Sequence, residues 1–165
     1  MLGVIQRHAA SFALLVLSGI AIAGQSVTSL QKADQDRLEA QRAVVLHYLD
    51  EAGRAKFATA PGKLGTLRAL LAAKVFKPDQ TYELQSMGVV LGDVFVQDMG
   101  FTWVIVSDEH GRDPAIRFGN TSVILYPLTM ISKRIERGET IDVFALYNGL
   151  ADQAQQLIEN ERGAK

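Results

Sequence analysis

Phe101-Thr102-Trp103-Val104-Ile105-Val106, then Asp108-Glu109-His110-Gly111-Arg112-Asp113, then Ala115-Ile116-Arg117-Phe118 and Gly119-Asn120 separate this chain from an all-helical protein. The first six residues are aromatic or β-branched, types that suit a pleated, half-covered surface. Phe101, Trp103 and Ile105 alternate with Thr102, Val104 and Val106, so the segment reads as a strand with cover on both faces. The polar run 108–113 reads as a turn with glycine at its centre. A short second strand is expected over 115–118, and Gly119-Asn120 signals a tight hairpin into a third strand over 121–126. Two tight hairpins make a three-stranded antiparallel meander, which is too small to be stable without helices packed on it.

Those helices are legible on either side. Upstream, Leu38, Val45, Leu49 and Ala52 recur at helical spacing, predicting a helix over 30–52 with Gly53 as its stop. Thr59-Ala60-Pro61-Gly62 reads as turn material, and a second helix is expected over 63–76 before Pro78. A third runs over 82–98, from Asp79 or Thr81 as cap to Gly100, with Leu84, Met87, Leu91, Val94 and Phe95 on its buried stripe. Gly88 and Gly92 lie inside it. Each costs about 1 kcal/mol against alanine, which predicts a tightly packed neighbour at both. Downstream, helices are expected over 128–137 and 140–161. The order is three helices, a meander and two helices, which is α+β with about five helices.

Composition narrows the function. The chain has 165 residues, 48% of them apolar, a net charge of −1 and no cysteine. Near-neutrality removes the electrostatic case for nucleic acid. The missing cysteines exclude disulfides, thiolate metal sites and thiol nucleophiles. At the N-terminus Arg7 precedes an uncharged run over 9–23 that ends Ala21-Ile22-Ala23, the build of a cleavable secretory signal. Residues 1–23 are therefore expected to be a signal peptide, and 24–165 a single exported domain. The periplasm is its expected location, with no stable membrane insertion after cleavage.

Catalytic chemistry finds little support in the residues. No serine sits in a nucleophile elbow of the G-x-S-x-G type, and Ser132-Lys133 lies on a short helix without a catalytic context. The acids of 108–113 match no calcium-loop spacing, and Arg112 among them opposes a cation. A carboxylate pair at Asp108 and Asp113 has no sugar cleft beside it. No catalytic residue, metal ligand or cofactor is assigned. Asp108, Glu109, His110, Arg112 and Asp113, with Arg117, Lys133 and Arg134, are the candidate partner-binding residues. The helix dipole alone also accounts for the cations at the end of the 128–137 helix. Trp103, the sole tryptophan, is expected in the core.

Met87-Gly88-Val89-Val90-Leu91-Gly92-Asp93, Trp103-Val104, the 108–114 run, and Pro127-Leu128-Thr129-Met130-Ile131-Ser132-Lys133-Arg134 before Gly138 together resemble one bacterial family, domain of unknown function 3806. The resemblance is strongest over 82–143. It implies a small α+β domain and carries no activity, catalytic residue or cofactor with it. Two functions follow as expectations. One is an exported, non-catalytic domain that binds an envelope protein, in its narrower form an immunity-type protein neutralising a toxin. The alternative is a small envelope hydrolase using the 108–113 loop.

Overall fold

The computed structural model describes residues 25–109 and 111–164; the expected signal peptide and His110 lie outside the described residues. In chain order the elements are β1 (Ser26–Ser29), α1 (Lys32–Leu46), α2 (Glu51–Phe57), α3 (Ala60–Ala72), α4 (Thr81–Met99), β2 (Thr102–Asp108), β3 (Gly111–Arg117), β4 (Ile124–Leu125), α5 (Leu128–Glu136) and α6 (Val143–Gly163). The class is α+β, and the sheet is antiparallel throughout in the order β1-β2-β3-β4.

α4 is the axis of the helical layer. Val89, Val90, Leu91, Val94 and Phe95 are all fully buried, so it is apolar around most of its circumference. α1, α3 and α5 pack directly on it, α6 rests on α3 and α4, and α2 on α3. Gly100, at φ 76°, closes the helix in the left-handed conformation that glycine adopts without strain. Both interior glycines have the expected close neighbours. A Cβ on Gly88 would lie 2.5 Å from the Pro127 carbonyl oxygen and 2.6 Å from the Leu128 Cα. One on Gly92 would lie 2.5 Å from the Trp103 ring.

Several boundaries differ from the sequence reading, each for a local reason. The expected 30–52 helix breaks after Leu46, because the Asp50 carboxylate accepts from the Gly53 N–H (2.7 Å) and starts α2 there. Gly53 is thus inside a helix and stops none. Thr59 caps α3 by accepting from Gly62 N–H (3.1 Å), and Pro61 occupies the first turn, where a missing N–H costs nothing. The expected turn at 59–62 is therefore a helix start. The meander gains a fourth strand, since Ser26–Ser29 pairs with the free edge of β2. β3 begins at Gly111, so Arg112 and Asp113 belong to the ladder and not to a wide turn. The last strand shrinks to two residues because 118–123 forms a loop: Thr121 N–H donates to the Phe118 carbonyl, and Phe118 N–H to the Val123 carbonyl.

The register settles which side chains face the helices. Trp103 opposes Ile116, and Ile116 opposes Leu125; these three enter the helical core with Phe101. Alternation puts Val104, Val106, Ala115 and Ile124 on the opposite face, with Val27 of β1 beside Val106. On that opposite face Val106 and Ala115 are buried, and Val27, Val104 and Ile124 are half-buried.

Candidate functional site

Two places concentrate polar chemistry, one inside and one outside. The inner one is a joint between α1, α4 and β2. Arg42 of α1 reaches Asp93 of α4 with a two-pronged ion pair, Nε to Oδ2 and Nη2 to Oδ1, both 2.7 Å. The Trp103 indole N–H donates to the same Oδ1 at 2.9 Å. Such planar pairing is stronger and more directional than a lysine contact. The hydrogen bonds it donates to Asp93 push Arg42 above its ordinary value, against the opposing effect of its partial burial. Lys63 of α3 stands at the rim, its Nζ donating to Gln97 Oε1 (2.9 Å), and burial pulls its amine below the usual range. Asp93 is thus clamped from two sides, an arrangement suited to holding three elements in register. Trp103 packs in the core, as expected, at 8% exposure. The sequence offered one sign of this joint, an acid directly after Gly92 inside the otherwise apolar run from Met87 to Val96.

The candidate partner-binding residues scatter. Arg112 turns inward and forms a two-pronged pair with Asp34 at the start of α1, at 2.5 and 2.7 Å. Asp108 accepts from the Gly111 N–H (3.2 Å), which closes the hairpin tip; Glu109 is exposed beside it. Arg134 donates to the Met130 carbonyl one turn back on α5, and Lys133 is exposed. Ser132 is buried with its hydroxyl towards the Leu128 carbonyl, so it and Lys133 occupy different environments. Among the described residues no group of three His, Cys, Asp or Glu side chains is placed to hold a metal ion.

Asp113 and Arg117 are the two that meet on one surface. Both lie on the outer face of β3, with Ala115 between them. The face is completed by Val27, Val104, Val106 and Ile124, and by Tyr126, whose hydroxyl accepts from Gln25 Nε2 at the head of β1 (3.4 Å). Tyr126 therefore reaches from the β4 edge towards the β1 edge. Burial, and then the negative charges of Asp108 and Asp113, raise its hydroxyl above the ordinary range. Arg117 donates from Nε to the Thr121 carbonyl (2.6 Å), which orients its guanidinium along the β3–β4 loop.

The Asp34–Arg112 pair makes a pH prediction. Hydrogen bonds from Arg112 and from the Gln31 N–H hold the Asp34 carboxyl at about 2, well below the 3.8 of an ordinary aspartate. A carboxyl depressed on folding contributes fully above its unfolded value and loses that contribution as pH falls through the folded one. Arg112→Met is therefore expected to be less stable than the parent at pH 5, with the gap narrowing steadily between about pH 4 and pH 2. Urea midpoints across that range test it. A gap independent of pH would show that the pair is not formed.

The comparisons with known proteins add a family and a fold. A family model described as Domain of unknown function (DUF3806) matches residues 63–147, just over half of the chain. The chain belongs to the DUF3806 family. The strings that carry the DUF3806 resemblance come together at the inner joint: Gly88 and Gly92 against Pro127, Leu128 and Trp103, with Asp93 bonded to the indole. In this DUF3806 chain they build the α4–β2–α5 contact. No curated protein matches the chain. A crystal structure at 1.50 Å resolution from Bacteroides thetaiotaomicron VPI-5482 is similar, with a TM-score of 0.64 and 12% identity. The match covers 79% of this chain and 48% of that one, so this chain spans about half its length. At that identity the likeness concerns the fold alone. No helix among the described residues is long and apolar enough to cross a membrane.

Proposed function

We propose that this DUF3806 chain is an exported, non-catalytic protein-binding domain of the periplasm, with the outer sheet face as its binding surface. One observation carries the reading. Around the buried Val106 and Ala115, Val27, Val104 and Ile124 are half-buried on the outer side of the sheet, with Asp113 and Arg117 flanking them. An apolar centre with a charged margin is the anatomy of a protein interface. The inner acids support the same reading from the other side, since Asp93 and Asp34 are engaged by arginines. In its narrower, immunity-type form the partner is a toxin delivered to the envelope.

The test is capture from envelope extracts by the chain expressed in a Gram-negative host. The processed protein is expected to begin at Gly24, read by intact mass. Val104→Glu and Arg117→Glu are expected to abolish capture, while Lys133→Glu on α5 leaves it unchanged. The reading fails if Asp108→Ala, His110→Ala and Asp113→Ala together abolish a hydrolytic activity of the purified chain while capture stays intact.

A further inference from the structure

We infer that β1 and α1 form a strap that releases as one unit while the rest of the domain stays folded. It pivots at residues 47–50 and uncovers the edge of β2 and the Asp93 flank of α4. The strap is independent of the outer sheet face and of what that face binds. Its two elements are joined by Leu30 and Gln31 alone, so neither lifts far without the other. Both are held differently from the rest of the core. β1 brings one half-buried side chain, Val27, among three exposed ones, and is kept in place by its backbone pairing with β2. α1 buries four side chains, and two of them, Asp34 and Gln41, are polar. Of the ten residues that α4 buries, Ser86 alone is polar.

Gln41 lies at the middle of this contact. Its side chain is fully buried, and neither the carboxamide oxygen nor the nitrogen has a hydrogen-bond partner. An unmatched interior amide opposes the docked state, because water satisfies it in the open one. The latches on α1 are two ion pairs, Asp34 with Arg112 and Arg42 with Asp93. They fix the docked position in direction and register, and on release all four charged groups regain hydration. Opening thus exposes little hydrocarbon for the polar groups it returns to water, the composition of a unit that opens below the global unfolding energy. The pivot is anchored on the far side. α1 ends at Leu46, Asp50 starts α2 by accepting from the Gly53 N–H, and Tyr48 between them rests edge-on against Phe76, with 5.3 Å between ring centres. Those contacts stay with α2 and α3 when α1 lifts.

Hydrogen exchange of the chain as it accumulates in cells, resolved by segment and repeated in low urea, decides the matter. After correction for intrinsic rates, amides of β1 and α1 are expected to exchange together, roughly a hundredfold or more faster than those of α4. A detached helix of fifteen residues is marginal in water, so α1 frays once it lifts. Urea is expected to speed the strap's exchange weakly and that of α4 steeply, because release exposes far less surface than unfolding. Gln41→Met keeps the length of the side chain and removes the unmatched amide, so it is expected to slow β1 and α1 alike by roughly tenfold. The inference is overturned if the strap is as protected as α4 or follows urea as steeply. It is also overturned if β1 opens while α1 stays closed, or if Gln41→Met fails to slow both. None of these outcomes bears on capture by the outer face, which Val104→Glu and Arg117→Glu test separately.

Discussion

Gly88→Ala is expected to destabilise the protein by about 2–3 kcal/mol, although alanine is the better helix former by about 1 kcal/mol. The reason is that the new methyl has nowhere to go. It would meet the Pro127 carbonyl oxygen at 2.5 Å, and the Leu128 Cα and carbonyl oxygen at 2.6 and 2.7 Å, all of them backbone atoms. A flexible side chain swings aside at small cost, but a helix start does not. Relief requires α5 to move away from α4, which opens the core around Ile131 and Leu128. Gly65→Ala on α3 is the matched control. Nothing lies within 4 Å of a Cβ there, so the same substitution is expected to stabilise by about 0.5–1 kcal/mol. Urea unfolding of both variants gives opposite signs if the α4–α5 contact is as close as described. Two stabilising changes would mean that it is not.

The second large effect is expected at Asp93. Asp93→Ala removes the acceptor shared by Arg42 and the Trp103 indole, and leaves two inward-facing donors unsatisfied. Breaking one side of a buried pair costs about 3–5 kcal/mol. The Arg42 side chain is 24% exposed and recovers some hydration, so about 3 kcal/mol is expected. Much of that cost belongs to the stranded arginine and not to the pair as such. Adding Arg42→Met to Asp93→Ala is accordingly expected to recover part of the loss, because an apolar replacement of both partners is far milder than removal of one. Trp103 fluorescence reports the same event locally, with a red shift expected in Asp93→Ala. Full additivity of the two substitutions would show that Arg42 and Asp93 are not coupled.

What could be read beforehand follows the range of the forces involved. α4 was legible almost to the residue, because nineteen residues of sustained apolar spacing and a closing Gly100 are local signals. Its glycines predicted a close neighbour, though not which one. α1 and α2 were merged because apolar spacing continues across 47–50, while the break depends on a single capping carboxylate at Asp50. β1 went unseen because Ser-Val-Thr-Ser has almost no pattern and becomes a strand only by completing the edge of β2. Among the candidate site residues, Asp113 and Arg117 reached one surface through strand alternation. Arg112, in a run with three acids, left them for an acid on another element.

The amino-acid sequence by itself determined the α+β class, the central helix, the hairpin order and the demand for close packing at Gly88 and Gly92. Each of these rests on periodicity, turn chemistry or the cost of glycine, which act over a few neighbouring residues. Only the tertiary structure decided that Asp93 would hold Arg42 and Trp103, and that Arg112 would turn inward to Asp34. It also decided which strand residues would face away from the helical core. Arg42 and Asp93 are 51 positions apart, and Asp34 and Arg112 are 78. An ion pair over such a span has no local pattern to announce it, because its energy is realised only once the layers have packed and water has been largely excluded from between them.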